Sequence, residues 1–219
     1  MDLAIGQMTE NVTSTVSKGK LPLSYGDYFL RTYAYLILGT ILIMINIPVF
    51  LLVITHKALR KSYLILATVF LNSGFTGISS ILLGIKRLID TANGEQFIDH
   101  HKCVINIPIF LFTAEFLSGW SLLMNSAERL SVVAFPIYYY THNMHINYSL
   151  IATHYGITVT AVTTAVVASL IEPSRRISNF CLLNKAYSPR YYQALLLLSS
   201  SASMLSVILM VVVVVNLRR

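Results

Sequence analysis

Residues Val104–Leu130 read VINIPIFLFTAEFLSGWSLLMNSAERL. Up to Ala127 this stretch is dominated by apolar side chains, and it closes on the charged pair Glu128-Arg129. A helix that crosses a bilayer needs ~20 residues at a rise of ~1.5 Å each, and this run exceeds that. Four more runs of similar length flank it: Tyr33–Thr55, Tyr63–Ile85, Ser149–Ile171 and Tyr191–Leu217. Helices of soluble domains rarely stay apolar on every side for so long. The pattern therefore predicts an all-α polytopic membrane bundle of five transmembrane helices in a lipid bilayer. Residues 1–32 form a polar N-terminal tail and residues 33–219 the membrane domain.

Composition agrees. The chain is 55% hydrophobic and 11% charged, with a mean hydropathy of +0.67. Soluble domains carry about 25% charged residues. The net charge of +7 does not indicate nucleic acid, because the basic residues are scattered through connecting segments and form no basic face. They are better read as membrane-flanking charges. The tail lacks the charged, apolar, small-residue order of a cleaved signal peptide, so the first helix is expected to serve as an uncleaved signal.

Two features place the N-terminus outside, at the plasma membrane. Asn11-Val12-Thr13 is a glycosylation sequon, usable at Asn11 only on the lumenal side. Cys103 and Cys181, the chain's two cysteines, fall on the N-terminal face when five helices cross. An oxidising outer face permits a disulfide; two separate buried thiols are the alternative. The basic residues oppose this orientation, with six on the inner side against ten on the outer. The compact basic segment His56–Ser62 after the first helix favours it, since the first helix usually sets orientation.

Polar side chains inside the bilayer are costly and tend to face the bundle interior. At helical spacing Leu111, Glu115, Ser118, Leu122, Asn125 and Arg129 fall on one stripe of the third run, which predicts that this helix is the centre of the bundle. Glu115 either meets a ligand in a cavity or bonds to a neighbouring helix; the sequence leaves both open. Asn46, Asn72 and Ser118, with Asn125 on the same stripe, are candidates for a polar core cluster. Local bonding of each to its own helix is the alternative.

Glu128-Arg129-Leu130, followed by Pro136 and Tyr139, resembles the Asp/Glu-Arg-Tyr motif and second intracellular loop of rhodopsin-like G-protein-coupled receptors. Asn46-x-x-Val49 resembles the first-helix Asn motif, and Asn72 and Ser118 stand where that family keeps its second- and third-helix polar partners. The phrase ERLSVVAFPIYYYTH is similar to nematode serpentine chemoreceptors of the Srsx-like group. The resemblance covers residues 33–217. It implies a receptor for a small molecule or peptide, coupled to a heterotrimeric G protein and able to form receptor oligomers. In it Glu128, Arg129, Pro136 and Tyr139 form the activation switch, Leu111 and Glu115 are ligand contacts, and Cys103 and Cys181 are joined. The chain departs from the pattern in several places. Leu130 replaces the motif Tyr, Asn72 an Asp, and Leu111 the Asp of amine receptors. Five runs match the first five of seven helices, so a receptor truncated after the fifth helix is expected.

Other classes fit less well. No nucleophile elbow, phosphate loop or zinc-protease motif occurs, so no enzyme, cofactor or metal site is expected. His142-x-x-His145 has metal-like spacing, but no acid or thiol joins it and the segment is expected to be a loop. A five-helix transporter or channel subunit remains the alternative, although no internal repeat is visible; a non-signalling truncated receptor is another.

Overall fold

The structure, a computed structural model, describes residues 21–92, 97–178 and 181–218. Asn11 lies outside the described residues. The long elements are α1 (Leu21–Thr55), α3 (Leu64–Ala92), α5 (Pro108–Ala134), α6 (Pro136–Ile171) and α8 (Pro189–Arg218). Short helices α2 (Lys57–Ser62), α4 (His100–Val104) and α7 (Leu183–Ala186) lie between them. Strands β1 (Phe97–Asp99) and β2 (Arg176–Ser178) pair antiparallel, with Ile98 opposite Ile177 and Asp99 opposite Arg176.

Among the described residues four helices are long and apolar enough to cross a membrane: Thr32–Thr55 of α1, Leu64–Asp90 of α3, and the whole of α6 and α8. These mark an integral membrane protein. Their outward residues, such as Ile37, Met44, Leu51, Leu197, Met204 and Val211, are exposed, as lipid-facing residues are. The fifth long helix, α5, has the length but not the apolarity. The reason is its position: it packs against α3, α6 and α8, and its Ser121, Ser126 and Glu128 are buried.

Two boundaries differ from expectation. Helix α1 is already formed at Leu21, the first described residue, rather than starting at Tyr33. Helix α6 begins at Pro136 rather than Ser149, so the expected loop holding His142 and His145 is helical, with one break at His142 (φ −118°, ψ 17°). Pro136 opens that helix at its first position, and neither glycine nor proline follows until Gly156. Tyr139 and Asn147 turn inward while Ile137, Tyr138 and Tyr140 are exposed, so this segment is two-faced where the rest of α6 is apolar.

Helices α1 and α3 meet backbone to backbone. A Cβ on Gly39 would lie 2.7 Å from the carbonyl oxygen of Gly77, and one on Gly77 2.8 Å from that of Gly39. Small residues permit such an approach. Replacing Gly77 by Val forces the two backbones apart and is expected to cost ~1–3 kcal/mol, the usual range for overpacking. Thermal unfolding in detergent reads this as a lowered Tm.

The main apolar core lies at the end of the bundle capped by the strands. Cys103, Val104, Phe112, Val162, Ala165, Ile177 and Tyr187 are packed together there. Tyr187 is fully buried, stacks on Phe112 and donates its hydroxyl to the carbonyl of Val104 at 3.2 Å. Burial raises the pKa of that hydroxyl and keeps it a donor.

Candidate functional site

At the capped end, Cys103 and Cys181 are joined by a disulfide, with Cα atoms 5.5 Å apart. It ties the start of the α5 segment to the connection between α6 and α8. Cys181 sits in the left-handed region, with φ 44°, a conformation that non-glycine residues adopt only when held.

The opposite end of α5 carries Glu128 and Arg129. The Glu128 carboxylate is almost wholly buried and lies 3.6 Å from Nε of Arg129, which is 38% exposed. Tyr139 of α6 donates its hydroxyl to Glu128 Oε1 at 2.9 Å, with Asn147 Oδ1 at 3.3 Å as a second acceptor. Asn147 in turn donates to Asn143 Oδ1 at 2.7 Å. Glu128 thus joins the end of α5 to the first turns of α6. Pro136 sets this up: it starts α6 one residue after the α5 cap at Phe135, so Tyr139, one turn on, folds back onto α5.

Between these ends lies a polar cluster centred on Asn72. Its Nδ2 donates to Ser121 Oγ at 2.6 Å and to His154 Nε2 at 3.2 Å, and its Oδ1 accepts from the hydroxyl of Tyr155 at 2.9 Å. Thr76 reaches Ser118 at 3.3 Å one turn away. Helices α3, α5 and α6 are therefore joined through one side chain. Expectation had Asn72 and Ser118 here but not Ser121, His154 or Tyr155. His154 had a usable signal, a lone imidazole within an apolar run.

Two expected members are elsewhere. Asn46 donates to the carbonyl of Leu42 in its own helix at 2.8 Å, the local bonding that was the alternative. Asn125 faces a cavity of about 560 Å³ between α5 and α8, lined also by Leu122, Ser126, Ser203 and Met210. Its Oδ1 has no hydrogen-bond partner among the described residues. Ser126 and Ser206 bond across the same pair of helices at 2.7 Å.

Leu111 is buried in the bundle, whereas Glu115 lies at the rim against α8, beside a void of about 20 Å³ with Phe112, Leu195 and Ser199. Phe112, Tyr187 and Tyr192 fill the space between α5 and α8 at the capped end. The larger cavity there, about 800 Å³, opens instead between α6 and α8 and is lined by Thr163, Thr164, Val167, Glu172 and Tyr191.

No family model matches the chain, and no curated protein does.

Replacing Asn72 by Leu removes three bonds at once. Hydrogen bonds between membrane helices average ~0.6 kcal/mol, so the loss is expected near 2 kcal/mol, against under ~0.6 kcal/mol for Thr76→Val. Thermal unfolding of the two variants in detergent checks the ratio.

Proposed function

We propose that this chain forms the first five helices of a rhodopsin-like G-protein-coupled receptor, of the nematode serpentine chemoreceptor kind, that detects a small molecule or peptide. On this reading α5 is the fifth span alongside α1, α3, α6 and α8. The N-terminus and the strand-capped end face outward at the plasma membrane, with Asn11 glycosylated. Arg129 faces the heterotrimeric G protein.

The observation that carries the proposal is the bridge at the inner end of α5. Glu128 is held by Tyr139 from α6 and pairs with a half-exposed Arg129. A buried acid anchored by a neighbouring helix leaves the adjacent Arg able to exchange partners when helices move, which is a two-state element of the kind signalling proteins use. Glu115, exposed beside α8, is the ligand-side counterpart.

The proposal requires that the reading frame, extended, encode two further spans with Cys-Trp-x-Pro-like and Asn-Pro-x-x-Tyr-like motifs. In such a full-length receptor Arg129→Ala is expected to abolish ligand-driven nucleotide exchange on the G protein while surface delivery is unchanged. Retained exchange removes the role given to Arg129.

A further inference from the structure

Three ligating side chains converge on the cap. Asp99 ends β1, and His100 and His101 open α4. One ligand atom from each lies within 4.8 Å of the others. Asp99 Oδ1 is 3.8 Å from Nδ1 of His100 and 4.0 Å from Nδ1 of His101.

The ring orientations are set from behind. His100 Nε2 lies 3.1 Å from the carbonyl oxygen of Ser169, and His101 Nε2 3.2 Å from that of Glu172. A carbonyl only accepts, so each imidazole carries a proton on Nε2, and its neutral form keeps a lone pair at Nδ1. The backbone N–H of Arg175 donates to His100 Nδ1 at 3.2 Å, which requires the same tautomer. A histidine that binds a metal commonly gives its other N–H to a carbonyl or carboxylate, which fixes the ring.

We propose that Asp99, His100 and His101 form a zinc site on the cap, independent of the receptor reading. Two imidazole nitrogens and one carboxylate oxygen suit a borderline divalent cation, and three protein ligands leave the fourth tetrahedral position to water or a ligand group. Zinc–nitrogen bonds of ~2.0–2.1 Å place tetrahedral ligand atoms about 3.3 Å apart. The two carboxylate–imidazole spacings therefore close by about 0.5–0.7 Å, and the third pair, within 4.8 Å, by up to about 1.5 Å, through rotation of the side chains. Zinc would take the place of the Arg175 N–H at His100, while the bond from His100 N–H to the Arg175 carbonyl at 3.0 Å keeps that residue beside the site. Ser174, which donates to Asp99 Oδ1 at 2.6 Å, keeps the carboxylate facing the rings. The charges around the site are mixed: Lys102, Arg175 and Arg176 oppose the cation and Glu172 favours it. The occupied site would bind β1 and α4 into one unit beside the Cys103–Cys181 bond.

The test uses the chain in detergent, purified without a polyhistidine tag. Calorimetry measures zinc binding, and cobalt(II) reports geometry through its visible absorption. One zinc per chain and an intense tetrahedral cobalt spectrum are expected. Asp99→Asn and His101→Gln, both at partly exposed positions, should each weaken zinc by about 100-fold or more, beyond the ~10–100-fold typical of a lost supporting residue. Peptide mapping of the Cys103–Cys181 bond checks that these variants are folded. His142→Gln/His145→Gln, at the other end of the bundle, should bind zinc as the unaltered chain does. Unchanged affinity in folded Asp99→Asn and His101→Gln, loss of binding in the His142/His145 variant, or a weak six-coordinate cobalt spectrum would overturn the proposal.

Discussion

Replacing both Cys103 and Cys181 by Ala is expected to lower stability by ~2–4 kcal/mol. The bond closes a sequence separation of 78 residues, for which chain entropy alone gives about 4–5 kcal/mol. Helices already confined by a bilayer or micelle have less freedom to lose, which lowers the figure. Both half-cystines are buried in the core with Phe112, Ile177 and Tyr187, and the bond also holds Cys181 in its left-handed turn. The measurement is thermal unfolding in detergent, with non-reducing peptide mapping of the unaltered chain. A Tm for the double variant equal to that of the unaltered, oxidised chain would falsify the assignment of this role.

The second large effect is at Glu128. Glu128→Gln and Tyr139→Phe are each expected to cost ~1.5–3 kcal/mol, the range for a hydrogen bond to a charged group. The double variant should cost less than the sum, because Tyr139→Phe removes the donor and Glu128→Gln removes the charge that strengthens the same bond. A coupling of more than about 1 kcal/mol in this cycle is expected. Arg129→Ala should cost under ~1 kcal/mol, since a pair with one half-exposed partner is worth little. Additive effects at Glu128 and Tyr139 would show that their 2.9 Å contact does not stabilise the α5–α6 junction.

What could be read in advance follows from the physics of each signal. Length and apolarity are properties of a segment, so all five long helices were visible as runs. Helix ends were less visible. The 136–148 segment looks like a loop by composition, yet it is helical because one face finds Glu128 and the other meets the interface. Apolarity also misjudged α5 in one respect: packed among three long helices, it is not among the four that are apolar enough to span. Among site residues, Asn72 was legible because an amide in mid-span demands partners. Which partners it finds depends on helix rotation, so Ser121 and Tyr155 were not. Asn46 looks equivalent in sequence, yet it bonds to the carbonyl of Leu42 in its own helix. The pairing of β1 with β2 and the convergence of Asp99, His100 and His101 had no spaced motif to announce them. Adjacent residues became a cluster only because a strand turns into a helix there.

The polarity of α5 bears on how the protein is made. On the five-span reading, a segment carrying Glu115, Asn125, Glu128 and Arg129 partitions poorly into lipid by itself. It would leave the translocon only in company, with α3 offering Asn72 and α6 offering Tyr139. Lesions at those two positions would then surface during biogenesis, as misoriented chains cleared by quality control, before any ligand or partner is met.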